Sequence, residues 1–210
     1  MGTTDPTAGG RGPYRNGIRR RSQIVDVAMQ VFGELGFVGG SIRTIADRAG
    51  VSPATLLQHF GSKDGLLSAV LEEWGRQTTK GALTEATGLA YFRGFPDLMK
   101  FHLANRGLLE LFLTIAADAS NPDHPARAFI QRRYADGIAN LSAQLQQAVA
   151  DGEVAALTPA EVDQEARLLT AVLDGVELQW LLDPSTDLVA LVSTYVDQAI
   201  ARWQRATKTP

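Results

Sequence analysis

Apolar residues recur at steps of three and four along most of this chain. Ile24, Val27, Ala28, Val31, Phe32 and Leu35 form the first such stripe, so a helix is expected from about Ile18 to a stop at Gly36. Ser41 can cap a short second helix with Ile42, Ile45, Ala46 and Ala49 on its inner face, ended by Gly50. Ser52 can cap a third, with Pro53 at the first helical position, where its missing N–H costs nothing. Leu56, Leu57 and Phe60 are the apolar positions of that helix, and Gly61 closes it. Ser62 opens a longer helix to about Lys80, striped by Leu66, Leu67, Val70, Leu71 and Trp74. Farther along, the period predicts helices at 95–104, 106–119, 124–150, 159–182 and 186–206. Thr158, Pro159 and Glu161 read as a capping box, and Asp183-Pro184 ends the helix that it opens. No alternating run reads as a strand, so the expected fold is all-α. The expected division is a basic flexible tail at 1–17, a three-helix helix-turn-helix domain at 18–62, a connecting helix at 63–80 and a larger helical domain at 81–210.

Charge divides the chain in the same place. The formal net charge is -3, yet residues 11–63 carry eight Lys/Arg against three Asp/Glu, and residues 81–210 carry ten against sixteen. A basic front on an acidic back suggests two tasks. Hydrophobic residues make up 45% of the 210, enough for a substantial core. The absence of cysteine excludes disulfides, thiolate metal sites and a Cys nucleophile. Neither a membrane-length apolar run nor a secretion signal is legible, and a cytoplasmic location is expected.

The tail, rich in Gly, Pro, Thr and Arg, has two readings: a solvated basic segment, or an arm along DNA phosphates. The stretch 41–63 is more specific. Two helices of about eight residues are too short to stand alone, but a third helix is there to hold them. Ser52, Pro53, Ala54 and Thr55 are small enough to let a helix N-terminus approach a groove wall, and Gln58 and His59 add hydrogen-bonding groups. Arg19, Arg43, Thr44 and Lys63 flank them as candidate phosphate contacts. His59 also reads as a packed residue.

The combination resembles the DNA-binding domain of the tetracycline-repressor family (TetR/AcrR-type regulators). The resemblance covers residues 19–74, about a quarter of the chain. It rests on Ala28, Phe32, Gly36, Ile45, Ala46, Ala49, Gly50, Val51, Ser52, Thr55, Leu56, His59, Phe60, Ser62, Lys63 and Leu66. Two positions depart: Leu57 stands where the family usually has a phosphate-touching Tyr, and Ala54 where Gly is frequent. The resemblance implies a homodimer on a near-palindromic double-stranded operator. It also implies a helical C-terminal domain that binds a small molecule and controls DNA affinity, in most cases as a repressor. The alternative is a helical interaction or ligand-binding protein with weak or lost DNA binding.

In the acidic back half, two helices are apolar on more than one side, so each has two surfaces to cover. Leu169, Val172, Val176, Leu191 and Tyr195 are the dimer candidates, with a single large core as the other reading. Trp74, Phe101, His102, Phe112, Tyr134 and Trp180 are the pocket candidates, and Asn105 and Arg106 stand near His102. Each of these also reads as ordinary core, and the pocket rests mainly on the resemblance. An enzyme is not expected: His59, His102 and His124 form no metal spacing, and there is no phosphate loop or nucleophile elbow. No metal or cofactor is expected, and the carboxylates read as solvated helix faces.

Overall fold

A computed structural model of the chain describes residues 12–83 and 85–205. The described residues form ten helices and no strand: α1 (Gly12–Gly39), α2 (Ile42–Ala49), α3 (Pro53–Phe60), α4 (Lys63–Ala82), α5 (Leu89–Arg93), α6 (Phe95–Ala104), α7 (Arg106–Asp118), α8 (Arg127–Ala150), α9 (Pro159–Leu182) and α10 (Leu188–Arg205). They fall into two compact units, with the boundary inside α4 between Val70 and Leu71.

In the first unit, α1 packs on α2 and α2 on α3. Ile24, Ala28, Val31, Phe32, Ile45, Ala46 and Leu56 make its core. Within the described residues α1 already runs from Gly12, ahead of the expected start near Ile18, and Gly17 does not interrupt it. The expected tail is therefore corrected at 12–17; the rest of it, 1–11 with Arg11, lies outside the described residues. Gly36, the expected stop, has φ 67° and ψ 177° and kinks the helix there. α2 has a full set of end signals. Ser41 Oγ accepts from Thr44 N–H at 3.0 Å, and Gly50 adopts the left-handed conformation.

In the second unit, α9 packs on α7, α8 and α10, and α10 packs on α5 and α6. Leu89, Phe92, Met99, Leu109, Leu145, Leu169, Val192 and Trp203 are buried there. α5 has no counterpart among the expected helices, since five residues show no period. Its start is held from elsewhere: Gln144 Oε1 accepts from Gly88 N–H at 3.1 Å and Glu153 Oε2 from Leu89 N–H at 2.8 Å. α8 starts at Arg127, later than the expected 124. His124 stays in the turn, and Arg127 donates to the carbonyls of Ala119 and Ser120, filling acceptors left open at the end of α7. α9 keeps its box, with Glu161 N–H on Thr158 Oγ1 and Thr158 N–H on Glu161 Oε2. Asp187 Oδ1 accepts from Ala190 N–H at 3.0 Å and so delays α10 to Leu188. Among the described residues, no helix is long and apolar enough to cross a membrane.

Candidate nucleic-acid interface and ligand cavity

The third helix is held by one residue and offers the others. Leu56 is 0% exposed and anchors α3 in the head. Ser52, Pro53, Ala54, Leu57 and Gln58 are exposed, and Thr55 and His59 are half-buried. Positions 54 and 58 lie on the side of the helix opposite the anchor, with Leu57 next to them. Ser52 fixes the start of that side: its Oγ accepts from Thr55 N–H at 3.0 Å and pairs with Thr55 Oγ1 at 2.8 Å. Three serines, Ser41, Ser52 and Ser62, cap three successive helices by the same i+3 bond. The turns between them are thereby set by local hydrogen bonds.

The candidate phosphate contacts divide. Arg19 and Arg43 are exposed, and Thr44 is half-buried beside its cap. Lys63 is not a free cation: its Nζ lies 4.4 Å from the Phe37 ring centroid and donates to Val38 O at 3.5 Å. It is engaged within the head and must leave these partners to reach anything else. Arg21 rests in the same way on Phe60, 5.0 Å from the ring centroid.

The second unit holds a partly open cavity of about 710 Å³. Trp74, His102, Phe112 and Tyr134 line it, together with Arg133, Asp174, Glu177 and an apolar wall that includes Leu98, Met99, Leu109 and Leu141. Phe101 and Trp180 do not line it. Phe101 adjoins His102 in a helix and therefore points about 100° away from it. Trp180 is buried instead against the Arg106 guanidinium, 5.1 Å from its ring centroid. Arg106 also donates to Leu181 O at 2.8 Å, and Asn105 to Phe101 O at 2.8 Å, so both close helix ends and neither serves the cavity.

Part of the cavity lining is a polar cluster. His102 Nδ1 lies 2.6 Å from Glu177 Oε1, and both side chains are almost fully buried. Tyr134 O–H donates to Asp174 Oδ2 at 2.7 Å. Burial pushes the Asp174 carboxyl up to about 6, against the smaller opposing effect of its Tyr134 bond. Burial first, then the bond to Asp174, raises the Tyr134 phenol above its usual range. The Arg133 guanidinium sits 4.8 Å from the Phe112 centroid and 5.6 Å from that of Trp74, and burial lowers its pKa. Gly75 makes room for it, since a Cβ there would run into the guanidinium.

The dimer candidates also divide. Leu169 is 1% exposed and belongs to the core of its own subunit, because it lies on the same side of α9 as Val162, Ala166 and Trp180. Val172, Val176 and Tyr195 are half-buried, and Leu191 is exposed. Leu168, Leu178 and Leu182 on α9 extend this apolar strip; Leu182 alone is 79% exposed.

The pattern described as "Bacterial regulatory proteins, tetR family" matches residues 24–70, and "BetI-type transcriptional repressor, C-terminal" matches residues 98–201. Together they take in most of the chain. The chain belongs to the tetracycline-repressor family. It is 28% identical over 121 residues to the HTH-type transcriptional repressor KstR2 of Rhodococcus jostii, covering 58% of this chain and 53% of that protein. The chain thus spans about half the length of that relative. It is 27% identical over 194 residues to the HTH-type transcriptional regulator TtgR of Pseudomonas putida, covering 86% and 89%. The fold matches that of the regulator FadR from Bacillus subtilis, solved with stearoyl-CoA, at a TM-score of 0.67 and 17% identity over 90% and 99% of the two chains.

As a TetR-family protein the chain has a DNA-binding helix-turn-helix at 24–70 and homologues that are transcriptional repressors. The family's usual Tyr is replaced by an exposed side chain, Leu57 at 41%. Sequence reading passed over Arg133, Asp174 and Glu177, taking carboxylates on helices as solvated. A signal was available for one: Glu177 falls in the buried line of α9 that runs through Val162, Ala166, Leu169 and Trp180. A carboxylate on that line is an inward one.

Proposed function

We propose that this protein is a ligand-responsive repressor that binds a near-palindromic operator as a homodimer and is released by a small molecule. One observation carries the reading: α3 is anchored by fully buried Leu56 while Ser52, Pro53 and Ala54 stand open at its start and Gln58 farther along. The geometry suits a recognition helix that enters the major groove N-terminus first. Arg19, Arg43 and Thr44 serve the phosphates; Thr55, Gln58 and His59 face base edges or the groove wall. Lys63 joins them by leaving Phe37. The dimer forms through the strip of α9 and α10 that includes Val172, Val176, Leu191 and Tyr195, two helices from each copy making a four-helix bundle. The protein works where the chromosome is, in the cytoplasm.

The switch runs along α4, which carries Lys63 at one end and Trp74 and Gly75 of the cavity wall farther on. A ligand that favours one setting of this helix changes DNA affinity by its preference for that setting. The test is a gel shift with DNA flanking the protein's own gene. A shift that weakens steeply with salt is expected, and Arg43→Ala lowers the salt slope by about one. Absence of any shift, with an intact dimer and a cavity that binds ligand, favours the alternative of lost DNA binding, to which exposed Leu57 points.

A further inference from the structure

Donor groups of the cavity, the Arg133 guanidinium and Trp74 Nε1, are left without an acceptor at hydrogen-bond distance among the described residues. One oxygen of each of its two carboxylates is engaged, Asp174 Oδ2 by the Tyr134 hydroxyl and Glu177 Oε1 by the His102 ring. Arg133 has rings beside it and charge partners near it, but no acceptor at hydrogen-bond distance among the described residues. Trp74 Nε1, which can only donate, is buried without a partner. A guanidinium whose face is covered by rings still presents its N–H edge. That edge matches the two oxygens of a carboxylate and leaves them little choice of orientation. A protein donor left dry costs stability unless something fills it. The rest of the wall, with Leu98, Met99 and Leu109, is apolar.

We infer that the cavity takes an amphipathic monocarboxylate, its head on the free edge of Arg133 and its apolar body along the wall of Leu98, Met99 and Leu109. This rests on the reading of the cavity as the effector site and names the effector's chemical class. Asp174 and Glu177 do not bar an anion. Glu177 faces His102, and Asp174 gives up its charge more readily than an ordinary aspartate. A cationic ligand is disfavoured, because Arg133 already holds the place over Trp74 and Phe112 that such a ligand would need. Gly75 belongs to the same device, since a Cβ there would displace the guanidinium.

The experiment is direct binding by calorimetry to the full-length protein. The probes are decanoate with decanol and decylamine, and 2-naphthoate with 2-naphthol and 2-naphthylmethylamine. In at least one set the acid is expected to bind about tenfold or more tighter than its neutral and cationic counterparts. Arg133→Gln is expected to abolish that preference while leaving the alcohol's affinity within a few-fold. Gly75→Ala, which keeps every charge but displaces the guanidinium, is expected to reduce it too; it covers the case in which Arg133→Gln fails to fold, judged by thermal melting. Preference for an amine, a preference for the acid that survives both variants, or no binding of either acid overturns the inference. Operator release is scored separately. Release by an alcohol or amine alone leaves the repressor standing and removes the carboxylate. Selective acid binding without release does the reverse.

Discussion

The two units of this protein use polar residues in opposite ways. In the head, polar side chains face out or close helix ends: three serines cap three helices, and Arg19, Arg43 and Gln58 stand in solvent. In the second unit the functional polar groups are turned inward, with His102 7% and Glu177 4% exposed. The difference fits the proposed partners. An open surface suits a polyanion as large as a duplex. A recessed cavity suits a small ligand, because each hydrogen bond there acts in a lower dielectric and each missing partner is costly.

The comparison breaks most visibly if the units do not behave separately. Leu56→Ala removes a fully buried side chain and should cost the head about 2–5 kcal/mol, abolishing the gel shift at growth temperature. Probe binding in the cavity should persist in that variant. If thermal melts and calorimetry show both functions lost together, the two units are one cooperative body. Next in size, Glu177→Ala leaves the buried His102 Nδ1 without an acceptor and should cost about 1–3 kcal/mol by denaturant unfolding, with DNA binding at low temperature unchanged. Ser52→Ala should cost about 1 kcal/mol in the head through its lost cap, and exchange of the Thr55 amide with solvent should accelerate. The smallest effect sharpens the contrast by pH. The Asp174 carboxyl is raised to about 6 in the folded protein. Folding therefore favours its protonated form: the stabilisation is complete below the ordinary aspartate range and is lost as pH rises through about 6. Asp174→Asn should flatten that part of the stability–pH curve relative to the unmodified protein, and an unchanged curve would show that Asp174 is better solvated than its surroundings indicate.

Much of the head was legible because its signals are local. A cap lies three residues from the N–H that it serves, a stop glycine lies at the end of its own helix, and Ile45, Ala46 and Leu56 follow a helical period. Lys63 escaped this reading, since its ring partner Phe37 belongs to the far end of α1. The cavity escaped more fully. His102 and Glu177 are 75 positions apart, and Tyr134 and Asp174 are 40 apart. Nothing in the spacing of either residue announces the other. The same limit explains the pocket and dimer residues that changed place. Phe101 and Leu169 had the right residue type, but which side of their helices would be covered depended on neighbours distant in sequence.

The amino-acid order by itself determined an all-helical chain, the helix-turn-helix with its capped ends, the basic front and acidic back, and the family. These depend on interactions within one or two helical turns or on plain sums of charge. Tertiary structure alone decided that Arg133 lies beside two rings with an unfilled edge, that two carboxylates point inward, and that Lys63 is folded onto Phe37. Such contacts join helices whose meeting is set by the packing of whole apolar faces, and no short stretch of sequence contains that information.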